Sequence, residues 1–302
     1  MRGSCDRMFS SAAPTTTSSD DIRRLNPGKG GAKDGRFYEV RGRKSRVKLP
    51  SVTTVLNIID KPAILHWNLR LTSAFLADEL RREFRSGTLS ERCANPKGEA
   101  AFDYWLKALL HNATSEGGNV MRQAATLGTR CHDAIDELIH QGAGAMPQVN
   151  GEEDAEEAVR NVVGGFIKWR DSTNLDIDPK GDNFVQSTEY GFAGAMDAVA
   201  RDPSDGSLVA IDFKTTNSVY ETAAMQVAAY ARAYESMHAN EGTFSRGIVV
   251  QFSKTEPRFT EHVVSDLDEA FAAFQAALLL WRVNKRGETL YERDPREDRL
   301  FR

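Results

Sequence analysis

Cysteine is scarce in this sequence, and its three copies lie far apart. Cys5, Cys93 and Cys131 form no Cys-x-x-Cys pair. The spacing argues against a disulfide framework, and the number excludes a four-thiolate iron–sulfur cluster. A reducing, cytoplasmic setting therefore fits the chain best.

Two further absences narrow the class of protein. No apolar run of about eighteen residues occurs, so we expect no membrane span. An excess of positive charge is also lacking, because the 302-residue chain has a formal net charge of −4. A nucleic-acid partner would therefore have to be held by a local basic patch or through a metal ion.

Two apolar-rich segments flank a dense turn in the second half of the chain. Residues 193–201 and 208–214 are each typical of a strand, and 202–207 contains the turn formers Asp-Pro-Ser-Asp-Gly. The sequence therefore predicts an antiparallel hairpin in which Arg201 pairs with Leu208.

This register brings three charged side chains together. Asp197 lies opposite Asp212, and Lys214, two residues further along the same strand, points to the same face. Two close carboxylates are unfavourable unless a cation lies between them, and Mg²⁺ prefers carboxylate oxygens. The cluster indicates a metal site beside an ammonium group. The alternative is an ordinary surface hairpin whose charges are solvated.

Two helices supply further polar side chains. Gln226 and Tyr230 are four residues apart and share a face of a helix predicted over 220–238. Upstream, Leu127-Gly-Thr-Arg-Cys-His132 lies on a helix predicted over 121–140. Taken alone, His132 is better explained as a helix-face histidine with a hydrogen-bond partner.

Together, Gly-x-x-Asp197, Asp212-x-Lys-Thr-Thr, Gln226-x-x-x-Tyr230 and the Gly-Thr-x-x-His132 helix resemble the PD-(D/E)XK nuclease superfamily, and within it the RecB-like branch. These motifs span residues 127–230, in the family's order. The upstream Pro-Ser-Val-Thr-Thr-Val-Leu segment, followed by a helix with Trp67, also resembles phage and mitochondrial-type RecB-like exonucleases.

The resemblance implies an α/β fold with a restriction-endonuclease-like core, a mixed central sheet flanked by helices, and an N-terminal, mainly helical lobe. It implies a metal-dependent DNA exonuclease that hydrolyses phosphodiester bonds, prefers single-stranded DNA or DNA ends, and serves recombination, repair or replication. The implied cofactor is one or two Mg²⁺ or Mn²⁺ ions. The implied catalytic residues are Asp197, Asp212, Lys214, Gln226 and Tyr230, and the implied metal ligands are His132, Asp197, Asp212 and the Phe213 carbonyl.

Two other classes of protein stay open. One is a non-catalytic DNA-binding or assembly protein on the same fold, which would have no need of the Asp/Asp/Lys trio. The other is a double-strand-specific endonuclease, against which the N-terminal lobe and the histidine motif argue. The expected partners are DNA and, further, recombination or replication proteins, in the cytoplasm of a bacterial or phage-infected cell.

One more acidic residue is a candidate for the site. Glu189 ends a strand predicted over 184–190 and would supply a third acid near the metal. Equally, it would serve to cap a segment or to pair with an arginine.

A basic segment near the N-terminus is a candidate DNA contact. Residues 33–48 hold seven basic and two acidic side chains, a net charge of +5, with Phe37 and Tyr38 among them. Basic and aromatic side chains together suit a phosphate backbone and stacked bases. The alternative is a solvated edge hairpin. The predicted DNA-binding residues are Arg36, Arg41, Arg43, Lys44 and Arg46.

The order of elements predicts the domain organisation. Helix–strand–strand–strand–helix–strand indicates an α/β sandwich with a mixed sheet. Before the 121–140 helix we expect a separate helix over 98–111. The predicted regions are a disordered tail over 1–35, a basic and helical lobe over 36–120, a nuclease core over 121–286 and a charged tail over 287–302.

Overall fold

The computed structural model describes residues 22–25, 35–41, 46–94, 99–141, 153–179 and 184–286. The predicted C-terminal tail and the predicted DNA contacts Arg43 and Lys44 lie outside these residues, and only the backbone of Arg41 is described. No helix within the described ranges combines the length and the apolar run that a membrane crossing requires.

The described chain contains helices and strands throughout. The helices are α1 Val52–Leu56, α2 Pro62–Ser86, α3 Thr88–Ala94, α4 Glu99–Gln141, α5 Glu153–Ser172, α6 Glu221–Met237 and α7 Leu267–Arg286. The strands are β1 Ile22–Leu25, β2 Phe37–Arg41, β3 Arg46–Pro50, β4 Asp176–Ile177, β5 Phe184–Ser187, β6 Phe192–Ala195, β7 Ala198–Arg201, β8 Leu208–Lys214, β9 Phe244–Phe252 and β10 Phe259–Val264.

Side-chain caps or a first-turn proline begin α1, α2 and α7. The Thr54 N–H donates to Ser51 Oγ at 3.0 Å at the start of α1. Pro62 occupies the first turn of α2, where a missing N–H costs nothing. The Glu269 N–H donates to Asp266 Oδ1 at 2.8 Å ahead of α7.

A five-stranded mixed sheet forms the centre of the molecule, in the order β10-β9-β8-β7-β4. The β8–β9 pair is parallel, with α6 as its crossover, and the other pairs are antiparallel. Helices cover both faces of the sheet: α4 and α5 on one side, α6 and α7 on the other. The predicted α/β class, with a mixed sheet flanked by helices and a helical N-terminal region, is therefore confirmed.

Burial on both faces explains the nearly continuous apolar run of β8. Val209, Ile211 and Phe213 pack with α4 and α5, whereas Leu208 and Ala210 pack with α6 and α7. The Phe213 ring is anchored edge-on against two aromatic rings of α5. Its centroid lies 5.6 Å from that of Phe166 and 5.7 Å from that of Trp169.

The prediction of one strand over residues 193–201 is wrong, because this segment forms parts of two strands. It is divided between β6, which pairs with β5 in a separate two-stranded sheet, and β7, which pairs with β8. The break falls at Met196 and Asp197, where the chain passes from one sheet to the other. The predicted pairing of Arg201 with Leu208 is confirmed.

The two helices predicted over 98–111 and 121–140 form one continuous helix, α4, of 43 residues. Glycine lowers helix stability by about 1 kcal/mol relative to alanine, yet α4 continues through Gly117 and Gly118. The packing of α2 explains Gly117, because a side chain there would overlap Asn68. The helix also runs across the domain boundary predicted between residues 120 and 121.

The predicted disordered tail is partly wrong. Ile22–Leu25 forms β1 and pairs antiparallel with β2, Ile22 opposite Val40. Together with β3 these strands make a three-stranded sheet. Tyr38, Val40 and Leu49 of that sheet pack on Ala193 of β6, so the basic hairpin adjoins the segment that leads to Asp197.

Candidate active site

The β7–β8 pairing brings the two predicted carboxylates together. Ala198 is paired with Ile211, so Asp197, one residue before β7, reaches the position opposite Asp212 in β8. Asp212 belongs to the row of β8 that faces α6, and its residue is only 1% exposed. This burial excludes the alternative of a surface hairpin with solvated charges.

Asp197 is held by two elements at once. The Phe213 N–H donates to Asp197 Oδ2 at 2.6 Å. His132 Nδ1, from α4, lies 3.2 Å from Asp197 Oδ1. His132 therefore has a hydrogen-bond partner, as the plainer interpretation expects, and that partner is a residue of the predicted site.

A chain of polar contacts runs from Asp212 into α6. Lys214 Nζ lies 2.6 Å from Asp212 Oδ2 and donates to Gln226 Oε1 at 3.2 Å. Gln226 Nε2 donates in turn to the Tyr230 hydroxyl at 3.0 Å. Because Gln226 and Tyr230 are one helical turn apart, α6 presents both to the end of β8. The structure thus joins four of the predicted residues in one network.

Gly194 stands in the Gly-x-x-Asp motif, but the sequence alone does not show why a glycine is needed at this position. The Tyr230 ring lies directly against it, and a Cβ at this position would overlap the ring at Cε1. The glycine is therefore required by a close approach between β6 and α6. This approach is tertiary, so no local sequence signal reveals it.

The Asp197–His132 pair is stabilised in its charged form. Burial disfavours charge on both groups, but the charge and hydrogen bond of His132 outweigh it and lower the pKa of the Asp197 carboxyl. Burial would also lower the pKa of His132, yet the charge and hydrogen bond of Asp197 raise it above its usual value. The pair favours aspartate with imidazolium.

The Asp212–Lys214 pair is asymmetric. Burial raises the pKa of the Asp212 carboxyl to about 6; Lys214 opposes this shift, and the nearby charge of Asp197 adds to it. Burial also disfavours charge on Lys214, but Asp212 and then Asp197 outweigh it and raise the pKa of the ammonium. Lys214 therefore keeps its proton, and Asp212 is the harder group to ionise.

These residues line a cavity of about 830 Å³. His132, Asp197, Asp212 and Lys214 form one wall, with Gln226 and Tyr230 beside them. The other walls come from the start of α2, the middle of α4 and the chain around α6, and include Ile64, Trp67, Met121, Tyr220 and Lys254.

The predicted DNA-binding residues are divided by the structure. Arg36 lines the cavity. Arg46 does not, and its NH1 lies 3.5 Å from Glu39 Oε2 in an exposed ion pair. Of the predicted DNA-binding side chains that the structure describes, Arg36 therefore lies at the cavity and Arg46 does not.

Glu189 is not brought to the site. It lies exposed in the turn between β5 and β6, at the far end of that hairpin from Ala195, which lines the cavity. The prediction of a third acid near a metal is not supported by this position, because the hairpin directs its other end toward Asp197.

The residues fit a hard divalent cation only in part. Within the described ranges, no group of three or more His, Cys, Asp or Glu side chains has the spacing of a metal site. Nevertheless, Asp197 and Asp212 border one cavity, and the buried Asp212 Oδ2 has no hydrogen bond of regular geometry there, only the ion pair with Lys214. An oxygen in this state is a suitable ligand for Mg²⁺ or Mn²⁺. His132 Nδ1 lies against Asp197 and helps to orient that carboxylate, and His132 lines the same cavity.

Comparisons with known proteins identify no family. No family model matches the chain, and no curated protein matches its sequence. One solved structure to which the chain is similar is titled "Crystal structure of SSO0001"; the identity is 15% and the TM-score 0.25, over 54% of this chain and 74% of that one.

Proposed function

We propose that the chain is a metal-dependent deoxyribonuclease that hydrolyses phosphodiester bonds and prefers single-stranded DNA or DNA ends. The observation that carries the proposal is the ion pair of the buried Asp212 with the partly buried Lys214, beside Asp197 and His132, on the wall of a cavity of about 830 Å³. Neither a packing role nor a solvated surface accounts for a fully buried carboxylate beside a second carboxylate and an ammonium.

The charges of the cavity favour an anionic substrate together with a divalent cation. Bare carboxylates repel a phosphodiester, but Arg36, Lys214 and Lys254 line the same cavity and attract it. Asp197 and Asp212 are the residues that would hold the cation. When bound, Mg²⁺ or Mn²⁺ supplies Lewis-acid chemistry to phosphodiester hydrolysis.

Lys214 acts through its charge in this proposal. Because Asp212 and Asp197 raise the pKa of the ammonium, Lys214 is a poor proton acceptor at neutral pH. It is instead a fixed positive group that offsets negative charge developing on the phosphate. Gln226 Oε1 holds the ammonium in place at 3.2 Å.

Tyr230 positions Gln226. Burial, more than any other cause, raises the pKa of its phenol, so the hydroxyl stays protonated and hydrogen-bonded to the Gln226 amide. Its ring is fixed against Gly194. The contacts of Gly194 with Tyr230, of Tyr230 with Gln226 and of Gln226 with Lys214 thus hold the ammonium in place before substrate arrives.

The preference for single strands is supported by the aromatic lining of the cavity. Trp67 and Tyr220 line it, and Tyr220 is 39% exposed. Aromatic side chains stack on the faces of unpaired bases, which are covered in a duplex. The lining of the cavity thus includes both cations for phosphates and aromatic rings for bases.

The test is cleavage of end-labelled linear single-stranded DNA, circular single-stranded DNA and linear duplex, each with Mg²⁺, Mn²⁺ or EDTA. We expect metal-dependent loss of the linear single strand. Cleavage of the circle as well would assign an endonuclease, and cleavage of duplex alone would favour the restriction-type alternative.

The control compares two aspartates of the same hairpin. Asp212→Asn removes a charge from the site, whereas Asp205→Asn removes an exposed charge from the turn between β7 and β8. We expect only the first to abolish cleavage. DNA binding by the wild type without cleavage under any metal would support the non-catalytic alternative instead.

A further inference from the structure

A second cavity, of about 610 Å³, adjoins the first. Thr216, Asn217 and Lys254 line both, so the two form one continuous groove. The second cavity lies between the chain that leaves β8 and the turn that joins β9 to β10, at residues 253–258.

The lining of this cavity suits a phosphate backbone. It consists mainly of hydroxyl and amide side chains with two cations, Lys254 and Arg258, and no carboxylate is among its described lining residues. A cavity of about 770 Å³ elsewhere on the sheet differs: Asp202 and Glu261 line it, and its Arg246 is paired with Asp202 at 2.9 Å. In a chain of net charge −4, the groove beside the site is thus locally positive.

The turn that forms the groove is fixed on α5. Asn161 Nδ2 donates to the Lys254 carbonyl at 3.0 Å. Gly164 and Gly165 let Pro257 and Arg258 approach the helix closely, where a Cβ would meet Pro257 Cβ at 2.8 Å and the Arg258 carbonyl at 2.9 Å. A turn whose backbone is held in place before binding loses little entropy when a ligand arrives.

The opposite wall is fixed as well. Gln251 Nε2 donates to the Thr216 carbonyl at 2.7 Å and ties β9 to the chain beyond β8. Arg258 Nε lies 3.7 Å from Glu256 Oε2, but both side chains are more than half exposed. An exposed pair of this kind contributes little and leaves the guanidinium able to turn toward a phosphate.

We propose that this second cavity binds the sugar-phosphate backbone of the nucleic-acid strand on one side of the cleavage position. Lys254 contacts a phosphate at the junction of the two cavities, and Arg258 contacts one further along. The inference rests on the proposed function for the identity of the substrate, and it names residues outside the Asp/Asp/Lys cluster that hold the strand.

The test is the salt dependence of binding. Lys254→Gln and Arg258→Gln are combined in an Asp212→Asn background, so that the DNA survives, and fluorescence anisotropy follows a labelled 12-nucleotide single strand. Each lost phosphate contact reduces the slope of log affinity against log salt by about 0.7, so we expect a decrease of up to about 1.4. Affinity at low salt should fall about tenfold or more.

Lys168→Gln in the same background is the matched control, because Lys168 is exposed on α5 and lines neither cavity. We expect it to leave slope and affinity unchanged. An unchanged slope in the double variant, with a wild type that cleaves DNA, would overturn the inference and leave the proposed function standing.

The salt slope and the cleavage assay are also informative when they give the reverse pair of results. A reduced slope in the double variant, with a wild type that cleaves no DNA under any metal, would support the groove and refute the proposed hydrolysis. Absence of any DNA binding would refute both.

Discussion

Asp212→Asn should stabilise the metal-free protein at neutral pH, although it removes a residue of the site. Burial raises the pKa of this carboxyl from its ordinary 3.8 to about 6 in the folded state. A group with a raised folded pKa contributes stability below its unfolded pKa, and that contribution is lost as pH rises through the folded pKa. Ionised Asp212 therefore weakens the fold above pH about 6.

The size of the effect follows from the shift. About two pKa units at 1.36 kcal/mol each correspond to about 3 kcal/mol. Asparagine has the shape of the protonated acid and carries no charge, so the variant avoids this penalty. It also deprives Lys214 of its ion pair at 2.6 Å, and about 3 kcal/mol is therefore the upper bound of the gain.

Urea unfolding in EDTA at a series of pH values measures this difference. We expect the two proteins to be equally stable near pH 4, the variant to gain between pH about 4 and about 6, and the gain to stay constant above. Asp205→Asn is the matched control: hydrogen bonds from the Ser207 side chain and backbone lower the pKa of the exposed Asp205 carboxyl, so its loss should not stabilise at any pH. A variant less stable than the wild type at pH 7.5 would refute the assigned cost of burying Asp212.

Three other predictions concern the remaining site residues. Mn²⁺ at one hundred times its Kd should stabilise the wild type by about 2.7 kcal/mol and so raise its melting temperature, whereas the melting temperature of Asp212→Asn should not change. Equal shifts in both proteins would place the metal elsewhere. His132→Ala should lower the cleavage rate strongly, with partial recovery in excess Mn²⁺, whereas a lower melting temperature with an unchanged rate would make His132 purely structural. Gly194→Ala should displace the Tyr230 ring and cost about 1–3 kcal/mol of stability. It should also reduce kcat, because Gln226 would no longer be held against Lys214 by Tyr230. An unchanged kcat in the folded variant would show that Tyr230 and Gln226 do not position Lys214.

The parts of the fold that the sequence predicts correctly depend on local signals. The turn formers of 202–207 set the loop length, and the loop length sets the pairing of Arg201 with Leu208. Alternation along β8 then places Asp212 and Lys214 on one face. The helix predicted over 220–238 contains α6, and the predicted helix with Trp67 corresponds to α2.

The parts that the sequence misses depend on tertiary contacts. The glycine at position 117 inside α4 is explained by the approach of Asn68, and the division of 193–201 into two strands follows from a change of sheet. Lys254 comes near the site only because α5 carries small residues under the turn that bears it. None of these contacts leaves a periodic or compositional pattern in its own segment.

The position of Asp212 is itself an argument for function. It interrupts a strand whose other residues before Lys214 are apolar and buried, and a valine there would continue the row that packs on α6. Sequences commonly break a local rule of packing where a site requires it. Lys214 opposes the effect of burial, yet the pKa of the Asp212 carboxyl stays raised at about 6, so the charge costs up to about 3 kcal/mol of stability at neutral pH. A divalent cation shared with Asp197 would offset the effect of burial and lower the pKa of the Asp212 carboxyl, because it favours the ionised form. Asp212 would then both weaken the metal-free fold and, together with Asp197, hold the metal.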